Sequence, residues 1–321
     1  MNSSRVLICS IVAALLVACG SDNPAGNAST GAAAPPPSGN ASAEEVAEHA
    51  RGKVRCPAPL ATTRAADAPV VDVVGVWPGM TWEEAANTVL CTNDLLVVSQ
   101  DQNRHFNIQT YGQTIRQGFS ARFAEPHVEK TSQQIIKDMQ DEAMARSTNR
   151  VRRDMQPGQA KWYVSTMGVP GAERVIAVAR EEWFAEGRNP TMASIEQALV
   201  KKYGAVGKSY SSGGNAYLTW AYDPQGQRVA QTSPLYNQCQ GTSDPDGGTN
   251  FSPDCGVVVV AQIFALRENP ELSQYLQVGV IDQANGYAAI TGTEQALQAL
   301  DAQRRAKEVE AAAQNADAPN L

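Results

Sequence analysis

Four oxygen-bearing side chains, Asp244, Asp246, Asn250 and Asp254, fall within one short glycine-containing stretch that ends beside Cys255. Calcium takes several oxygen ligands from a flexible loop, so these four are the candidate metal ligands. The stretch departs from an EF-hand loop. Gly248 stands where the fifth-position ligand belongs, Thr249 stands where glycine is needed, and no glutamate follows at the twelfth position. The competing reading is a polar turn pinned by cysteines. A second concentration of charge, Arg146, Arg150, Arg152 and Arg153, has the chemistry to dock an acidic partner or a lipopolysaccharide phosphate. Its plainer reading is the solvated end of a helix, where cations complement the dipole. The histidines are His49, His105 and His127, and no pair has the spacing of a zinc-binding helix. No Gly-x-Ser-x-Gly elbow, phosphate-binding loop or dinucleotide fingerprint occurs. A Cys91 thiolate served by His105 or His127 would make a nucleophile, but a disulfide is the stronger expectation for that cysteine. The sequence therefore predicts no catalytic residue, and no cofactor other than the calcium candidate.

The chain opens with Arg5 and an almost wholly apolar run over residues 6–18, closing on Leu16-Val17-Ala18-Cys19-Gly20. A charged start and an apolar run of this length form a secretory signal. The run is shorter than the roughly 20 residues of a spanning helix. The closing five residues resemble the bacterial lipobox. That resemblance implies cleavage before Cys19 and acylation of its sulfur and new amino terminus with chains of palmitate type. Several chains on one cysteine anchor stably, whereas one alone binds only marginally. Gly20 in place of aspartate implies sorting to the outer membrane. The expected location is an outer-membrane lipid anchor, with the body in the periplasm or at the cell surface.

Cleavage would remove Arg5 and no acid, moving the formal charge from −7 to −8. So acidic a chain is a poor generic partner for nucleic acid. Cys9 leaves with the signal and Cys19 takes lipid, which leaves Cys56, Cys91, Cys239 and Cys255. An even number in an oxidising compartment predicts disulfides. Nearness in sequence favours Cys56–Cys91 and Cys239–Cys255. The second would close a loop of roughly 17 residues and contribute about 3 kcal/mol through chain entropy.

The elements that must position these residues follow from pattern. Residues 20–50 are rich in Ser, Gly, Asn, Ala and Pro and read as a tether, with a short helix over 44–54 at its end. Residues 70–76 are β-branched and read as a strand. Pro78-Gly79 is a turn, and Thr81 with Glu84 forms a capping box for a helix over 81–90. Strands are expected at 95–98 and 119–123, and a second helix over 132–153. Runs 162–167 and 173–184, joined by Gly168-Val169-Pro170-Gly171, predict a hairpin. A third helix ends at Tyr203 before Gly204, and strands follow at 216–222, 256–266 and 276–281. A helix is expected from residue 293. The tryptophans Trp77, Trp82, Trp162, Trp183 and Trp220 read as core fillers.

Gly75-Val76-Trp77-Pro78-Gly79-Met80-Thr81-Trp82-Glu83-Glu84-Ala85 resembles the opening of the small BamE-type (SmpA/OmlA-like) outer-membrane lipoprotein domain. The second half is loosely similar: a short helix, Lys202-Tyr203-Gly204, then a strand carrying Trp220. The resemblance implies small α/β units that act as scaffolds and binding partners in envelope assembly. It covers about a tenth of the chain, and the proline that often follows the helix in that family is missing at Gly204-Ala205-Val206. A helix followed by strands occurs twice, which predicts an α+β fold of short helices and antiparallel strands, as two related modules or one shared sheet. The expected division is residues 1–18 as signal, 19–69 as lipidated cysteine and tether, 70–189 and 190–291 as two modules, and 292–321 as a helical or disordered tail.

These readings converge on an outer-membrane-anchored lipoprotein with a non-catalytic binding or scaffold role. Its expected partners are the membrane, through Cys19, and an envelope protein. The alternatives are an envelope hydrolase with an unrecognised site and a small-ligand or calcium carrier.

Overall fold

The computed structural model describes residues 39–63, 69–99, 106–147 and 155–315. The expected signal, Cys19, most of the tether and residues 316–321 lie outside these. The fold is α+β, an eight-stranded antiparallel sheet with five helices and a separate two-stranded hairpin among the described residues. None of these helices is long and apolar enough to cross a membrane.

The sheet is assembled from two similar halves. In the first, helix α2 (Trp82–Leu90) precedes strands β1 (Leu96–Ser99), β4 (Gly118–Phe123), β5 (Ala160–Met167) and β6 (Arg174–Trp183). The hairpin β2 (Asn107–Thr110) and β3 (Gln113–Arg116) and helix α3 (Ser132–Ser147) are inserted between them. In the second, helix α4 (Met192–Tyr203) precedes β7 (Lys208–Ser212), β8 (Asn215–Ala221), β9 (Val257–Leu266) and β10 (Asn269–Asp282). The strand order is β1-β4-β5-β6-β10-β9-β8-β7, so the last strands of the two halves meet at the centre. Both helices start at a threonine that bridges to its half's last strand, Thr81 to Arg174 and Thr191 to Leu272. These partners are 98 positions apart. Arg180 and Val278, also 98 apart, face each other across the β6–β10 pair. A single local two-fold axis through that pair therefore relates the halves. They share one sheet and one core rather than forming two bodies.

Alternation along the strands separates two faces. On one lie Phe119, Trp162, Val164, Val178, Trp220 and Val259. Helices α2 and α4 cover this face, and Ala85, Val89, Ile195 and Leu199 join the same core. Trp82, Trp162 and Trp220 are buried in this core, as expected, and Trp77 packs against its edge, whereas Trp183 is buried on the opposite face. The other face is partly covered by the chain between β8 and β9. Disulfide Cys239–Cys255 closes this segment and packs on Val258 and Val260. Helix α5 (Gln283–Asn315) follows directly from β10, seats Gly286 on the ring of Phe251 and reaches Tyr111 through Gln298.

Several expectations need correction. Residues 70–76 form a turn rather than a strand. Val73 pairs with Val76, and the two residues between them, Val74 and Gly75, both have positive φ (43° and 82°). Asp72 fixes the turn by accepting from the Gly75 N–H at 2.9 Å, and it ties the turn to α4 through Lys202 and Tyr203. The final helix begins at Gln283, well before residue 293. Helix α3 forms as expected, yet Ile135, Ile136 and Met139 remain exposed.

The body also begins much earlier than residue 70. Ala41 pairs with His127, and helix α1 (Ala43–Arg51), capped by Ser42 and Glu45, buries Ala47. Disulfide Cys56–Cys91 ties the following segment to the end of α2. Ala61 and Thr62 then donate their N–H groups to Glu84 Oε1 at 2.6 and 2.7 Å. Thr62 Oγ1 and the Thr81 N–H reach Oε2 at 2.5 and 2.9 Å. Burial by itself would raise the carboxyl pKa. The bonds from Thr62, Thr81 and Ala61 together outweigh it and hold Glu84 down at about 2 against an ordinary 4.5. A depressed folded pKa means the contribution is present above pH 4.5 and is lost as pH falls towards about 2. Glu84→Gln should cost on the order of 2–3 kcal/mol at neutral pH, and the gap to the parent should shrink to less than about 1 kcal/mol at pH 2.5. Urea melts of both proteins at the two pH values measure it. An equal gap at both would mean that charge at Glu84 does not carry the effect.

Candidate ligand-binding face

The face turned away from α2 and α4 presents two sets of polar and aromatic side chains. Strand register places each set. Across β1, β4 and β5, Ser99 pairs with Ser120 and Ser120 with Tyr163, so three hydroxyl-bearing residues stand in one row. The register ends with the Ala121–Trp162 pair; Arg122 and Lys161 are the next residues on the two strands, and both line the same cavity. Phe106 packs on the Tyr163 ring at 5.3 Å. Above these strands lies the tip of the disulfide-closed loop, Pro245–Asp246, with Pro245 buried and Asp246 ion-paired to Lys161. Strands and tip enclose a cavity of about 120 Å³ whose polar lining is Ser99, Ser120, Arg122, Lys161, Tyr163 and Asp246.

The second set lies over β6, β10, β9 and β8. Phe264, Tyr275 and Trp183 are cross-strand neighbours and stack, with centroids 4.1 and 5.0 Å apart and planes within 12° and 6° of parallel. Beside them runs the row Tyr210, Tyr217, Gln262, Gln277 and Glu181. Glu181 is buried, accepting from the Trp183 indole N–H at 2.5 Å and from Gln277 Nε2 at 2.7 Å. Each carboxylate oxygen thus has a donor, and the bonds lock the ring stack in place. At the sheet's edge Tyr210 and Tyr217 stack at 4.5 Å, and Tyr210 is 57% exposed.

The calcium candidates are not assembled into a site. Asp246 is engaged by Lys161, Asp244 Oδ1 accepts the Asp246 N–H at 2.9 Å, and the Asp254 N–H turns to Ser252 Oγ at 3.3 Å. Among the described residues no three His, Cys, Asp or Glu side chains gather as a metal site. Asn250 is exposed on the same loop. The loop is a self-bonded polar turn held by Cys239–Cys255. Cys91 is bonded to Cys56, so it offers no thiolate for catalysis. His127 uses its backbone to hold Ala41. His105, Arg150, Arg152, Arg153 and the side chain of Arg146 lie outside the described residues.

Sequence reasoning missed the cavity. Its residues come from three strands and a loop far apart in the chain, and none is part of a motif. The available signal was phase. Lys161 and Tyr163 alternate with the core residues Trp162 and Val164, as Ser120 and Arg122 alternate with Phe119 and Ala121. Comparisons with protein-family models, with curated proteins and with solved structures found no match.

Proposed function

We propose that the protein is an exported lipoprotein, held to the outer membrane by acyl chains on Cys19, whose folded body binds an envelope protein without catalysing a reaction. The anchor rests on the residues from Leu16 to Gly20, and the BamE-type resemblance of residues 75–85 points to the same class of role. The observation that carries the binding reading is the aromatic surface on β6–β10. Aromatic residues are enriched where proteins meet, because each ring buries a large area at small entropic cost. Here the rings sit on paired strands, already stacked, so little ordering remains for a partner to impose.

The test is crosslinking in intact cells followed by affinity purification and mass spectrometry. It compares the parent, Cys19→Ala, and the double variant Tyr210→Ser/Tyr217→Ser. The parent should recover a defined set of envelope proteins. Cys19→Ala should lose them with the anchor, and the tyrosine variant should lose them while remaining anchored. Recovery of no specific protein by the parent, or full recovery by the tyrosine variant, sinks this reading.

A further inference from the structure

We propose that the cavity beneath Pro245–Asp246 is a binding site for a phosphoryl group, and that Asp246 occupies it as an internal competitor until the ligand arrives. The chain carries 33 acidic against 26 basic residues, yet two cations line this one cavity. The Arg122 side chain is exposed, and its guanidinium has no ion-pair or hydrogen-bond partner among the described residues. Among the described residues Lys161 is paired with Asp246, which belongs to the loop tip and not to the sheet. Arg116, Arg180 and Lys202, all less exposed than Arg122, are each paired with a carboxylate that belongs to the scaffold.

Arg122 offers a planar fork, Lys161 a point charge, and Ser99, Ser120 and Tyr163 bring hydroxyls from adjacent strands. A planar carboxylate has two oxygens to satisfy. A terminal phosphoryl group presents three around a tetrahedron, which suits donors converging from a sheet floor and from its side. All five residues lie on strands of the sheet, which fixes the points from which their side chains start. A drug-sized ligand needs about 300 Å³ or more, whereas this cavity offers about 120 Å³. It takes the head group of a molecule and leaves the remainder outside.

Asp246 places a carboxylate on Lys161 where a phosphoryl oxygen would bind. The incoming group must displace it, which lifts the tip from the strands. Removing that charge should therefore strengthen binding, an outcome that a merely structural salt bridge would not give.

The full chain bearing Cys19→Ala, so that acylation cannot mediate vesicle binding, is titrated by calorimetry with inorganic phosphate and with glycerol 3-phosphate. In parallel it is sedimented with phosphatidylcholine vesicles with and without phosphatidic acid. Saturable binding of at least one phosphoryl probe is expected. Arg122→Gln should weaken it at least tenfold while its melting temperature stays at the parent's, and Asp246→Asn should tighten it several-fold. Binding of the soluble probes alone assigns the site to a soluble phosphate ester. Selective binding to phosphatidic acid vesicles that depends on Arg122 assigns it to a lipid head group. The proposal is overturned if no probe binds saturably, if Arg122→Gln leaves the affinity unchanged, or if Asp246→Asn weakens it. The purified chain is read directly, so failure here leaves the partner-binding reading untouched.

Discussion

Gly279→Ala is expected to destabilise the protein by about 3 kcal/mol or more and to lower its melting temperature by roughly 6–12 °C. Gly279 lies near the middle of β10, opposite Val260 and Ala179, on the face that the loop covers. A methyl group there would sit 2.1 Å from the Thr242 carbonyl oxygen and 2.9 Å from Ser243 Cα. Both are backbone atoms, so no rotamer change relieves the clash. Either the loop lifts or the strand bends. The loop is pinned at Cys239 and Cys255, and its neighbour Gly241 packs on Ile281 and Val260, so lifting it uncovers apolar surface. The Lys161–Asp246 pair should loosen in the same variant. Urea denaturation followed by tryptophan fluorescence gives the free energy. A loss below about 0.5 kcal/mol would show that the loop does not lie on the sheet at this point.

That close contact was invisible in the sequence, and the contrast with what was legible is physical. The start of α2 could be read because its capping box joins Thr81 and Glu84, three residues apart. The β5–β6 hairpin could be read because its turn glycines lie between two apolar runs, and both disulfides follow sequence proximity. Residues 70–76 misled because valines that fill a core from a turn have the same composition as valines in a strand. The β7–β8 hairpin carried its signal in Gly213-Gly214, whose φ values are both positive, but only β8 has an apolar run, since β7 is exposed and polar. The β2–β3 turn uses Tyr111 at φ 51°, a residue that no turn preference singles out. The early start of α5 was signalled only by Asp282, which ends β10 and accepts from the Asn285 N–H at 3.2 Å. The cavity and the ring stack were illegible for a different reason. They are made by register between strands up to a hundred residues apart, and register is a property of the assembled sheet.

The same separation hides an ion pair whose loss should rank with the loop clash. Arg116 ends β3 and reaches Glu83 on α2 at 2.7 Å and Glu173 at 3.4 Å, while its guanidinium lies 4.8 Å over the Trp82 ring. Desolvation of the guanidinium would lower its pKa, but the contacts with Glu83 and Glu173 more than offset this, and the net shift is upward. Glu173 is the exposed flank of nothing: its side chain is 2% accessible. Its oxygens also accept the Arg116 and Gly171 N–H groups at 3.3 and 2.9 Å. Arg116→Ala would leave that carboxylate buried without its cation, which typically costs 3–5 kcal/mol. The two backbone donors remain, so we expect about 3 kcal/mol here, part of it from the exposed Trp82 ring. Glu173→Gln alone should cost less, because a neutral amide needs no counter-charge. Adding Glu173→Gln to Arg116→Ala should then recover about 1–2 kcal/mol of what the arginine variant lost. Denaturant melts of the four proteins close the cycle. If the double variant is less stable than Arg116→Ala by the full cost of Glu173→Gln, the two residues act independently and the buried charge is not what Arg116 stabilises.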